Sequence, residues 1–273
     1  MPELPEVETV KSGLINFLDL PETIIGMQKS SKRLRFPYPT MLKSSLIGKV
    51  IHRIERRAKY LIFDMGEYVL LSHLGMTGNW RGTEPFRSEQ HDHFSLKLRS
   101  GKVLIYNDAR RFGYLDLLKK SEFYESRWIQ HLGPEPIGPK GLLAEDLFCA
   151  TRKKQTSIKA LIMNQENVVG VGNIYASESL FFAGVRPKKR AKRLTRLEAR
   201  KLTESMAEVI QSAIEQGGTT IRDFKNAGGS SGYFQTQLAV YGRAGQPCHK
   251  CAEPIQTEVV AGRATYWCRI CQK

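Results

Sequence analysis

The 273-residue chain has no apolar run near the ~18–20 residues that a membrane-crossing helix requires. It also lacks the basic, then apolar, opening of a secretory leader. Its first eight residues carry Glu3, Glu6 and Glu8 and no cation, so export is not expected. Cysteine is scarce, at five, and four of the five cluster near the C-terminus. That distribution excludes a disulfide framework and suits metal binding in a reducing cytoplasm. Acidic residues are short too: 27 Asp and Glu stand against 42 Lys and Arg, a formal charge of +15. A polyanionic partner is the natural expectation, with a negatively charged membrane surface as the lesser alternative. No internal repeat occurs. Hydrophobic residues at 41% and charged residues at 25% are ordinary for a globular protein long enough for two cores.

Among what is present, the opening Met1-Pro2-Glu3-Leu4-Pro5-Glu6-Val7-Glu8 carries the most chemistry. If Met1 is removed, Pro2 becomes a free secondary amine with a carboxylate beside it. An α-amino group titrates near ~7.7–8, so part of it is neutral and nucleophilic at physiological pH. Leu4, Val7, Val10, Leu14 and Phe17 follow helical spacing, with Glu3 and Glu6 at the positive end of the dipole. Pro and Glu are also simply good helix starters, so these residues do not decide alone.

Up to about residue 130, apolar runs alternate with turn residues. Tyr60-Leu61-Ile62-Phe63, Tyr68-Val69-Leu70-Leu71, 94–98 and Val103-Leu104-Ile105-Tyr106 read as antiparallel strands. This half is expected to be a β-sandwich or barrel with the first helix packed on it. The Pro/Gly-rich stretch His131-Leu132-Gly133-Pro134-Glu135-Pro136 marks a domain boundary. Beyond it the period becomes helical, with helices expected over 157–163 and 175–183 around a Gly170-Val171-Gly172-Asn173 turn. Thr195-Arg196-Leu197-Glu198 reads as the capping box of a longer helix that Gly217-Gly218 ends. Residues 227–232 read as a flexible loop. The basic run 186–193 has a plain alternative as a solvated surface. The expected division is a domain over 1–131, a linker over 132–141, a helical domain over 142–237 and a finger over 238–273.

Cys248-x2-Cys251-x16-Cys268-x2-Cys271 can converge on one tetrahedral zinc. Four protein ligands leave no open position, so the metal is expected to be structural. His249 reads as a bystander. Between the two pairs, residues 259–265 form an expected hairpin tip carrying Arg263. The 170–173 turn suits phosphate, and Arg152-Lys153-Lys154 could reach the same backbone. Arg56-Arg57-Ala58-Lys59-Tyr60 places three cations before a buried strand. Met76, Arg110 and Phe112 lie on glycine-framed loops, where they are either packing residues or wedges for a base stack.

Taken in order, these motifs resemble bacterial formamidopyrimidine-DNA glycosylases over essentially the whole chain. The resemblance rests on residues 2–9, 57–61, 73–76, 108–113, 131–136, 170–178 and 217–224 and on the zinc ribbon. It implies an α+β multidomain fold: an N-terminal β-sandwich with packed helices, a helix–two-turn–helix domain and a zinc-ribbon β-hairpin. It implies a base-excision repair enzyme for oxidised purines, with one structural Zn2+ and no catalytic cofactor. The implied partner is double-stranded DNA containing oxidised bases or abasic sites. The protein would be a monomer in the bacterial cytoplasm, associated with the nucleoid.

By the same resemblance Pro2 would attack C1′, Glu3 would transfer protons and Glu6 would hold the amine. Lys59 and Arg263 would assist proton transfer, and with His73, Asn173 and Tyr241 would contact phosphates. Met76, Arg110 and Phe112 would fill the gap left by a flipped nucleotide. His91, Arg111 and Lys154 would bind backbone, and 219–235 would close over the base. An endonuclease VIII-like enzyme for oxidised pyrimidines is the sister alternative, against which Leu4 and the Arg110-Arg111-Phe112 wedge argue. A non-catalytic damage-binding protein is the rival from another class. Two departures from the family pattern stand out: Ala264 after Arg263, and an insertion at 21–23 expected only to lengthen a surface turn.

Overall fold

The fold comes from a computed structural model that describes residues 1–218 and 238–273. The loop expected at 227–232 and the capping segment at 219–235 lie outside the described residues. Among the described residues no helix is long and apolar enough to cross a membrane. The chain divides into two compact units, the first built on Met1–Gln130 and the second on His131–Glu215 together with the C-terminal residues.

The first unit opens with α1 (Leu4–Phe17), followed by β1 (Glu22–Lys29), α2 (Leu42–Leu46) and β2 (Val50–Ile51). Then come β3 (Arg53–Arg57), β4 (Tyr60–Asp64), β5 (Tyr68–His73) and β6 (Asn79–Thr83). The unit's last strands are β7 (Asp92–Leu98), β8 (Val103–Asn107) and β9 (Tyr114–Lys119). They form two antiparallel sheets, ordered β2-β1-β7-β8-β6 and β3-β4-β5-β9. Phe63 and Leu70 from one sheet and Trp80, Leu96 and Leu104 from the other share a single core with Val7, Val10 and Leu14 of α1. This is the β-sandwich with a packed helix. The indole N–H of Trp80 donates to the Ser72 hydroxyl at 2.9 Å, so its polar edge is satisfied in the core.

Of residues 21–23 only Pro21 is an exposed bend; the other two are strand, not surface turn. Glu22 starts β1, pairs with Ile51 and is buried, and Thr23 pairs with Val50. The short β2 offers ladder partners, so the chain turns at Pro21 and enters the sheet at the next residue.

The second unit contains α3 (Ala144–Thr151), α4 (Ile158–Met163), α5 (Asn173–Phe182) and α6 (Arg196–Glu215). Ser157 caps α4 by accepting the Ala160 N–H. The capping box of α6 is reciprocal: the Glu198 carboxylate accepts the Thr195 N–H at 2.9 Å, and the Thr195 hydroxyl accepts the Glu198 N–H at 3.2 Å. Gly217 and Gly218 follow the helix at φ +75° and +79°, where a side chain would be strained. Helix α5 begins at Asn173, two residues earlier than the periodicity suggests, because extended Gly172 is its N-cap. The hairpin of β10 (Gln256–Val260) and β11 (Arg263–Trp267) turns at Ala261 and Gly262, both at positive φ. Two positive-φ residues are the signature of a tight hairpin turn that matches strand twist.

Candidate functional site

In the first unit, four charged side chains surround the amino terminus. Glu3 and Glu6 are buried at 3% and 0% exposure, and Pro2 is buried between them and the exposed Met1. The Glu6 carboxylate accepts the Glu3 N–H at 2.8 Å, fixing the first turn of α1. The α-amine of Met1, which occupies this place with Met1 retained, is held below its usual value, first by burial and then by the cations of Lys59 and Arg110, while Glu3 and Glu6 oppose the shift. The surroundings therefore favour the neutral, nucleophilic form of an amine at this end of the chain.

Lys59, itself buried, sits on the two-residue turn between β3 and β4, next to Ala58 at φ +53°. The ladder pairs Tyr60 with His73, which sets His73 beside this turn. The His73 ring stacks on Tyr114 at 5.2 Å and 11°, and meets Tyr60 edge-on at 5.2 Å. Its Nδ1 accepts the Gly75 N–H at 3.0 Å, which assigns the ring proton to Nε2. Burial, with help from the Lys59 and Arg35 cations, lowers the ring pKa to about 4. His73 is thus a neutral N–H donor at physiological pH, a group that can bind a phosphate oxygen without needing its own counter-ion.

Buried Asp108 organises the loops that carry the expected wedge. Its carboxylate accepts the Thr77 hydroxyl at 2.5 Å and the Gly113 N–H at 2.8 Å, and Thr77 in turn accepts the Arg110 N–H at 3.0 Å. The backbone of Asp108 receives the Arg111 N–H and donates to the His91 carbonyl, which brings His91 and Arg111 together. A Cβ at Gly75 (φ +64°) would lie 2.3 Å from the Gly113 nitrogen, so the two loops touch backbone to backbone. From them Met76 and Phe112 emerge 37% and 44% exposed, with the Arg110 guanidinium 4.7 Å over the Phe112 ring.

In the second unit, α5 is the scaffold. At its N-terminus the Asn173 amide donates to the Ala264 carbonyl at 2.9 Å, immediately after Arg263. Further along, the Glu178 carboxylate accepts the N–H groups of Ala239, Val240 and Tyr241 at 2.7–3.0 Å. The Tyr241 ring meets Tyr266 of β11 at 5.0 Å. Lys159 of α4, fully buried, donates to Asn173 Oδ1 at 2.5 Å and to the Thr265 hydroxyl at 2.6 Å. Asn173, Tyr241 and the strand carrying Arg263 are thereby locked together. Arg152 does not reach this turn, because its guanidinium is bound to the carbonyls of Leu194 and Phe148. Lys154 lies on the turn after α3, with backbone bonds to Thr151 and Lys192.

The thiols of Cys248, Cys251, Cys268 and Cys271 lie within 4.8 Å of one another and form no disulfide, while His249 is exposed. The Lys250 N–H points at the Cys248 sulfur at 3.4 Å, the kind of support a thiolate ligand needs. This donor set fits a tetrahedral zinc with no open position.

Family models match almost the whole chain: the formamidopyrimidine-DNA glycosylase N-terminal domain over 1–115, its H2TH domain over 132–225, and the zinc finger found in FPG and IleRS over 245–273. The chain belongs to the formamidopyrimidine-DNA glycosylase family. Members from Thioalkalivibrio sulfidiphilus and Pectobacterium atrosepticum are 45% and 44% identical to it, each pair covered completely. Among solved structures, a Lactococcus lactis FPG mutant bound to Fapy-dG containing DNA matches with TM-score 0.89 at 36% identity, covering both chains fully. MutM in complex with carbocyclic 8-oxo-G containing DNA matches at 0.89 and 37%, again over both chains. The Thermus thermophilus family member matches at 0.88 and 36%, over 99% of this chain and 98% of that one. The zinc-finger match and the four-thiol cluster together assign a structural zinc.

Two residues that position the site are not legible from motif reading. Lys159 is hidden in the apolar run Ile158-Lys159-Ala160-Leu161-Ile162, where a single cation on a buried face was the available signal. Glu178 closes the 170–178 motif, yet nothing local shows that it holds 239–241.

Three outcomes follow for this family member. Elemental analysis should find one zinc per chain, with Cys268→Ser or chelation abolishing it and lowering the unfolding midpoint. Lys159→Met should cost about 1–3 kcal/mol, read by urea unfolding, because the half-buried Asn173 Oδ1 loses its ammonium donor while the Thr265 hydroxyl keeps its bond to the Arg263 carbonyl. The unfolded His73 ring titrates near ~6.5 and the folded one near about 4, so the unfolded chain binds the extra proton between them. Stability should therefore fall as pH drops from ~6.5 towards about 4, and His73→Gln should make that fall shallower; an unchanged slope would show that His73 is not the group responsible.

Proposed function

We propose that the chain is a bifunctional repair enzyme that excises oxidised purines from duplex DNA and then cleaves the resulting abasic site. Membership of the family supports glycosylase action, and relatives in complex with Fapy-dG and 8-oxo-G containing DNA support the substrate class. The observation that carries the mechanism is the amino terminus, where burial, Lys59 and Arg110 favour a neutral amine beside Glu3 and Glu6.

Removal of Met1 would expose the Pro2 nitrogen. Its lone pair attacks C1′ of the damaged nucleotide as the N-glycosidic bond breaks, and the departing base takes up a proton. Glu3, with Lys59 and Arg263 assisting, moves protons between Pro2, the sugar and the base. The amine then holds the opened sugar as an iminium ion, which acidifies C2′. Loss of the C2′ proton expels the 3′ phosphate by β-elimination, a second elimination expels the 5′ phosphate, and water releases the enzyme. Glu6, bound to the Glu3 N–H, holds the turn in place. Zinc takes no part in these steps and maintains the hairpin that carries Arg263.

His73, Asn173 and Tyr241 are assigned to phosphates near the lesion, and His91, Arg111 and Lys154 to backbone further away. Met76, Arg110 and Phe112 would enter the stack where the damaged nucleotide leaves, since C1′ is shielded inside a duplex. The working division we assign is 1–131 for catalysis, 132–141 as linker, 142–237 for DNA binding and 238–273 as the zinc finger. The enzyme acts as a monomer on DNA of the cytoplasmic nucleoid.

The test is borohydride trapping on a duplex bearing one 8-oxoguanine opposite cytosine. Protein beginning at Pro2 should give a covalent adduct and protein retaining Met1 should not. Tight binding with no adduct from either form would replace this reading with a non-catalytic damage-binding protein.

A further inference from the structure

Arg56 heads the cationic run before β4, and none of the roles assigned above uses it. Strand alternation places it on the same face of β3 as the buried Ile54, and only 9% of its side chain is exposed. From there the guanidinium spans two elements. Its Nε donates to the Glu8 carboxylate of α1 at 2.7 Å, and its Nη1 donates to the carbonyl of Ala58 at 3.0 Å. That carbonyl belongs to the peptide joining Ala58 to Lys59. Glu8 is in turn paired with Lys11, and although burial pushes its carboxyl up, the two cations hold it below its usual range.

Two features make the contact more than a surface ion pair. Ala58 occupies φ +53°, a conformation costly for a residue with a Cβ, at the turn position where a tight hairpin of this kind usually has glycine. Such a turn needs an external hold. The other end of the hold is α1, the rigid helix whose first turn presents Pro2, Glu3 and Glu6. A guanidinium can satisfy both acceptors at once in fixed geometry, which an ammonium on a flexible stem cannot.

We propose that the Glu8–Arg56 pair is a positioning clamp that sets the Lys59 ammonium relative to the Pro2–Glu3 end of α1. The clamp transmits no proton and touches no substrate; it fixes the separation between two groups that must act on the same sugar. The inference rests on the role assigned to Lys59, and the experiment separates the two.

Arg56→Met, Lys59→Met and the double variant would be compared in single-turnover release of 8-oxoguanine, alongside affinity for a duplex containing an uncleavable abasic analogue and the thermal midpoint. Arg56→Met should slow base release roughly 10- to 100-fold, the size of effect expected from a misplaced catalytic group, with duplex affinity changed less than about threefold. In the Lys59→Met background the same substitution should slow release less than about twofold further, because contacting residues acting through one group are not additive. If Arg56→Met does not fold, Glu8→Ala, a helix-compatible change, enters the same cycle with the same expectation. Full loss from the clamp variant in both backgrounds, or none in either, overturns the clamp while leaving Lys59's role standing. A Lys59→Met protein as fast as the parent overturns the role of Lys59, and the clamp with it.

Discussion

The constraint on which the first unit depends is the burial of two carboxylates at one helix end. Glu3 and Glu6 are removed from water at the N-terminus of α1, where each carboxylate accepts the other residue's backbone N–H and the helix dipole supplies partial positive charge. That alone would not hold two buried anions. The amine, Lys59 and Arg110 gather around the same point, and their positions require the β3–β4 turn and the Asp108 loop to be where they are. The sandwich core beneath has one main task, which is to keep those loops and α1 in register. Electrostatics at the helix end and packing below it are therefore solutions to one problem.

The second unit meets a comparable problem with one buried group of each sign. Lys159 is a buried cation satisfied by an amide and a hydroxyl that belong to two different elements. Glu178 is a buried anion satisfied by three consecutive N–H groups. Each would be costly if its partners moved away, so each forces a segment distant in sequence to lie against α5 or α4. The zinc ribbon is fastened from both sides: its metal closes the hairpin internally, and Lys159 with Asn173 anchors the strand after Arg263.

How much of this could be read from the chain varied with how local the cause was. The zinc site, the α6 capping box and the strand runs were legible because spacing of a few residues determines them. Leu4, Val7, Val10 and Leu14 announced α1 through periodicity alone. Lys159 and Glu178 were not legible, because their partners lie 106 and 61–63 residues away. Arg56 was visible only as charge; that it spans a strained turn and a helix depends on α1 crossing the inner face of β3. The error at Glu22 and Thr23 had the same origin, since a two-residue partner strand some 28 positions further on recruits them into a ladder.

The contact between Gly75 and Gly113 leaves no room for one loop to shift past the other. Met76 and Phe112 are therefore teeth on a single stiff comb rather than independent fingers. Whatever the pair meets, the two side chains would have to meet it together, because neither loop can advance without carrying the other.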